Sequence, residues 1–117
     1  MVDARAEVEK KLAEFQALQE QYQLVASQRM QSTMQEEELA SAAVEVKNAT
    51  GKVYKSTGFV VLEADKASLE KQLVEEKETI AVRAQMLAKQ EERLKARLTE
   101  LKAEIESLAK GIQASGG

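Results

Sequence analysis

The sequence predicts a mainly α-helical chain: a long antiparallel two-helix coiled coil joined by one β-hairpin that contributes to a barrel or sheet shared between subunits. Three observations carry this expectation. Apolar residues fill 44% of the 117 positions but aromatic ones only 3%, against 32% charged, so the apolar content is mostly Ala, Leu and Val, a mixture suited to long exposed helices and not to a thick core. Heptad repeats flank a short segment rich in β-branched and aromatic residues. No proline interrupts either flank.

Taken in order, helix formers fill the first third. An a/d-like register runs through Val8, Phe15 and Tyr22, each followed three residues later by Lys11, Leu18 and Val25, and Leu12 broadens the stripe. Beyond Arg29 the apolar positions move to Met30, Met34, Leu39, Ala43 and Val46, which reads as a stutter. Met30, Met34 and Met86 are expected to pack, as thioethers at helical spacing generally do. This helix is expected over about 4 to 48, because Asn48-Ala49-Thr50-Gly51 favours caps and turns. Lys52-Val53-Tyr54-Lys55 and Phe59-Val60-Val61-Leu62-Glu63, around a turn at Ser56-Thr57-Gly58, read as one hairpin over about 52 to 63. Gly58 is expected to supply a positive φ. Asp65 is a good N-cap for a second helix over about 65 to 113.

In that second helix Leu73, Ile80, Leu87, Leu94, Leu101 and Leu108 recur every seven residues. The companion positions, Lys77, Ala84, Glu91, Leu98, Ile105 and Ile112, are fully apolar only toward the C-terminus. At about 1.5 Å per residue the two helices match at roughly 70 Å each. They should fold back on one another with Val8 near Ile105 and Phe15 near Leu98, giving a single domain over 1–117.

Composition also removes whole classes of function. Without Cys there is no disulfide, thiolate metal site or cysteine nucleophile, and without His the commonest general base and transition-metal ligand are gone. No catalytic, cofactor-binding or metal-ligating residue is assigned, and an enzyme would rest on scattered carboxylates alone. Gly51-Lys52 and Lys55-Ser56-Thr57 lack the spacing of a phosphate loop. Glu36-Glu37-Glu38 and Glu75-Glu76 read as solvated helix faces, not as a cation site. A net charge of −3 with interleaved signs speaks against a nucleic-acid surface, and no basic block precedes the leucines as a zipper transcription factor would need. The longest apolar run, Phe59-Val60-Val61-Leu62, is far below the roughly 20 residues that span a bilayer. The expectation is a soluble, cytoplasmic protein with neither membrane nor nucleic-acid partner.

The hairpin is the informative segment. Two strands alone are marginal in water, and Val53, Phe59, Val60, Val61 and Leu62 are too greasy to stay uncovered. A two-helix coiled coil has no sheet to bury both faces, so other chains should supply the missing strands. Helix, single hairpin, helix, with Val53-Tyr54-Lys55-Ser56-Thr57-Gly58-Phe59-Val60-Val61-Leu62 fitting the pattern V-Y-K-x-x-G-x-φ-φ-φ (φ apolar), resembles the β-type subunits of prefoldin. Lys89-Gln90-Glu91-Glu92-Arg93-Leu94-Lys95 is similar to archaeal β subunits and to the eukaryotic sixth subunit type. Many family members carry a Pro before the hairpin where this chain has Ala49-Thr50-Gly51, which leaves the exit of the first helix open.

The resemblance implies a hexamer of two α-type and four β-type subunits whose hairpins form a double β-barrel bearing six coiled coils. Non-native polypeptide is held at the coiled-coil tips and passed to a group II chaperonin without ATP. Val53, Tyr54, Gly58, Phe59, Val60, Val61 and Leu62 would then make the oligomer interface. Met1, Val2, Val8, Leu12, Leu108 and Ile112 would contact clients at the tips; for Val8, Leu12, Leu108 and Ile112 the plainer reading is seam, whereas Met1 and Val2 are better placed for contact. A structural coiled-coil tether or dimerisation module is the alternative.

Overall fold

A computed structural model describes residues 3–114. Helix α1 (Ala4–Asn48) leads into strands β1 (Val53–Thr57) and β2 (Val60–Ala64), followed by helix α2 (Lys66–Ala114). The helix ends follow from local hydrogen bonding. Asp3 opens α1: its Oδ1 accepts the Arg5 amide at 3.1 Å and its carbonyl accepts the Glu7 amide at 3.0 Å. Asp65 opens α2, its Oδ2 accepting the Ser68 amide at 3.0 Å and the Ser68 hydroxyl at 2.9 Å. These two bonds hold the Asp65 carboxyl below its ordinary value of 3.8. At the other end of α1 the last carbonyls are capped from a distance, because the Lys66 ammonium donates to the carbonyls of Lys47 and Ala49, both at 3.0 Å.

The chain divides into two compact units. In the terminal unit, residues 3–28 lie antiparallel to residues 87–114, as two cross-helix ion pairs show. Lys11 Nζ meets Glu104 Oε2 at 2.9 Å and Arg97 meets Glu14 Oε1 at 3.1 Å. This register sets Val8 at the level of Ile105 and Phe15 at the level of Leu98. Arg97 also lies 3.3 Å from Glu100 and 3.9 Å from Glu104, so the network ties both helices together. The Glu104 carboxyl is lowered by its bond from Lys11, and the Lys11 ammonium is raised in return. Leu101, at 0% exposure, is the best buried side chain described, with Val25 and Leu87 also buried.

The hairpin unit, Arg29–Met86, holds the hairpin and the adjoining helix segments. Its seam corrects the expected stutter. The sevenfold spacing of Tyr22 and Val25 simply continues through Arg29, Ser32 and Glu36 to Leu39, Ala43 and Val46; Ser32 is buried and the other five half-buried. Met30 and Met34 are exposed instead of packed, and so is Met86. Arg29 and Glu36 have apolar stems that can line a seam position, and Ser32 is small enough to be buried in one, so the repeat survives polar occupants.

Candidate functional site

The two strands pair antiparallel, with Val53 opposite Ala64, Tyr54 opposite Glu63, Lys55 opposite Leu62, Ser56 opposite Val61 and Thr57 opposite Val60. This register leaves a two-residue turn, Gly58-Phe59. Gly58 has φ +65° and no other described residue has positive φ, which is the signature of a type II′ turn with glycine first. The expected turn at Ser56-Thr57-Gly58 is therefore displaced by one residue or more. Phe59 belongs to the turn and not to the second strand, because only the primed turn matches the strands' twist.

Partners across the ladder share a face. One face carries Val53, Lys55, Thr57, Val60, Leu62 and Ala64, and the other carries Tyr54, Ser56, Val61 and Glu63. Burial is uneven across them. Val53 is covered by its own chain at 9% exposure, whereas Tyr54, Val60, Val61 and Leu62 keep between 50% and 65%. Phe59 touches almost nothing, at 108%. Both faces of the ribbon and its turn therefore present apolar surface, and the sheet has two strands only. An exposed ion pair, Lys52 to Glu63 at 3.8 Å, marks its base. The arrangement can bury apolar area and extend a ladder.

The residues expected at the client-binding tips are differently placed. Val8, Leu108 and Ile112 are half-buried and Leu12 is 43% exposed. Met1 and Val2 lie outside the described residues. Among the described residues no group of three or more acidic side chains is arranged to hold a metal ion, and no helix is long and apolar enough to cross a membrane. The shifted groups, Lys11, Asp65, Arg97 and Glu104, owe their shifts to pairing or capping. Sequence reasoning missed two features. One is the Lys66 clamp, for which a lysine directly after a capping Asp gives only a faint signal. The other is a groove in the hairpin unit between α1 and α2, lined by Glu38, Leu39, Glu75, Glu76 and Ile80 among others.

Comparison with known proteins adds two findings. A family model described as "Prefoldin subunit" matches residues 9–112. Among solved structures, the chain is similar to the prefoldin beta subunit from Thermococcus strain KS-1, with a TM-score of 0.81 and 30% identity, covering 92% of this chain and 96% of that one. No curated protein sequence matches.

Proposed function

The chain belongs to the prefoldin subunit family, and from that premise we propose that it is a β-type subunit of a hexameric, ATP-independent holdase. The observation that carries the reading is the ribbon of β1 and β2, whose Tyr54, Phe59, Val60, Val61 and Leu62 stay exposed within the chain. Joined to the hairpins of α-type and other β-type subunits, it closes into a shared barrel. Gly58 shapes the turn, and Val53 anchors the ribbon to its own unit. The whole of 1–117 acts as one prefoldin-like domain, without catalysis, in the cytoplasm. Unfolded polypeptide is held at the free ends of the coiled coils, where Met1, Val2, Val8, Leu12, Leu108 and Ile112 contact it, and is delivered to a group II chaperonin. Several weak contacts made at once give the grip.

The test mixes the chain with α-type and β-type prefoldin subunits, follows assembly by size, and measures how far the product suppresses aggregation of a denatured client. A hexamer that suppresses aggregation supports the reading. Removing residues 1–8 and 110–117 should spare assembly and weaken capture. The tether reading draws on the half-buried state of Val8, Leu108 and Ile112, which suits a plain seam. It predicts no suppression of aggregation at all.

A further inference from the structure

The hairpin unit contains a groove lined by helix residues alone, with none from β1 or β2. It runs between residues 35–42 of α1 and 72–80 of α2, with a volume of about 730 Å³. Leu39, Ala42 and Ile80 provide apolar lining, and Glu38, Glu75 and Glu76 supply carboxylates. Glu38 and Ala42 also line a second recess of about 440 Å³ on α1, which adds Met34, Glu37 and Glu45. None of the residues lining either recess is Lys or Arg. Met34 is exposed, and an unbranched thioether at the rim adapts to varied side chains.

We propose that this groove binds a lysine- or arginine-rich amphipathic helix of a partner polypeptide, its apolar side on Leu39 and Ile80 and its cations among the five carboxylates. The dimensions agree, since eight residues of α1 extend about 12 Å, enough to seat two turns of a docked helix. The choice of occupant follows from charge. An acidic rim with no cation in it repels anionic segments and favours cationic ones, while the apolar lining rejects segments that are merely charged. The inference goes beyond the proposed capture at the coiled-coil ends and requires neither those ends nor the shared barrel.

A fluorescently labelled amphipathic peptide of Leu and Lys, titrated against the purified full-length chain, tests it, with a Leu and Glu peptide of the same pattern as comparison. The Lys peptide should bind and the Glu peptide should bind at least about tenfold more weakly. Combined Glu38→Gln, Glu75→Gln and Glu76→Gln should weaken the Lys peptide about tenfold or more, and Ala42→Phe, which fills the groove without altering its charge, should do the same. Circular dichroism checks that each variant keeps its helices, and Ala42→Phe decides if the Gln variant does not. The chain lacking residues 1–8 and 110–117 should bind the Lys peptide unchanged. Equal binding of both peptides overturns the inference, as does wild-type affinity in a folded groove variant. Loss on truncation without any effect of the groove variants also overturns it, while leaving capture at the ends intact.

Discussion

Replacing Phe59 by aspartate removes a side chain whose relative exposure is 108%, so the free chain loses no packing and its helices have no reason to change. Assembly is another matter. Burying a phenylalanine between subunits contributes about 2 kcal/mol, and forcing a carboxylate into the same apolar place costs at least about 2 kcal/mol more. The sum, about 4 kcal/mol for each subunit incorporated, is roughly a thousandfold in its association constant. Val61→Asp, on the opposite face from Val60 and Leu62, should act similarly. Sedimentation velocity of wild-type and variant complexes at equal concentration reads the effect, with far-ultraviolet circular dichroism as the control. Helicity retained with assembly lost fits the account. Wild-type assembly by Phe59→Asp would refute the idea that the turn is buried between chains. Val53→Asp gives the contrast, because Val53 is already covered at 9% exposure and its substitution should damage the hairpin unit itself.

Three further outcomes follow from the geometry. Leu101→Ala empties the most buried position of the terminal unit and should destabilise it by about 2–5 kcal/mol, seen as a lower thermal midpoint with the hairpin's assembly retained. Gly58→Ala places a Cβ at φ +65° where no atom beyond its chain neighbours lies within 4 Å, so its cost is backbone strain, about 1–3 kcal/mol, read as faster amide exchange in both strands. The Lys11–Glu104 pair gives stability a pH window. Glu104 is held below 4.5 in the folded chain, so its contribution is present above that value and is lost as pH falls through the folded value. Lys11 is held above 10.5, so its contribution is present below that value and fades as pH rises beyond. Thermal midpoints across this range should fall at both ends, and Glu104→Gln should remove the pairing contribution to both limbs.

The helices and the hairpin were legible because their signals are local. Heptads of leucine, an Asp cap before α2 and a glycine between two β-branched runs each act through nearby backbone. The seam beyond Arg29 was not legible in this way. Met30 and Met34 are the apolar residues there, but a continuous repeat put Arg29, Ser32 and Glu36 inside and the methionines out. Hydropathy ranks side chains one at a time, whereas supercoil geometry chooses positions collectively. Phe59 was misplaced for a related reason: its β propensity is outweighed by the requirement that a two-residue turn follow Gly58. Glu38, Glu75 and Glu76 lie far apart in sequence, and only the pairing of two helix segments brings them to one groove.

Hydrogen exchange of the β1 and β2 amides as a function of concentration tests most directly whether the ribbon needs neighbours. Slow exchange in the assembled complex, turning fast on dilution to single chains, is the predicted result. A stable 12.9 kDa species whose Val60–Ala64 amides exchange slowly at every concentration would contradict it.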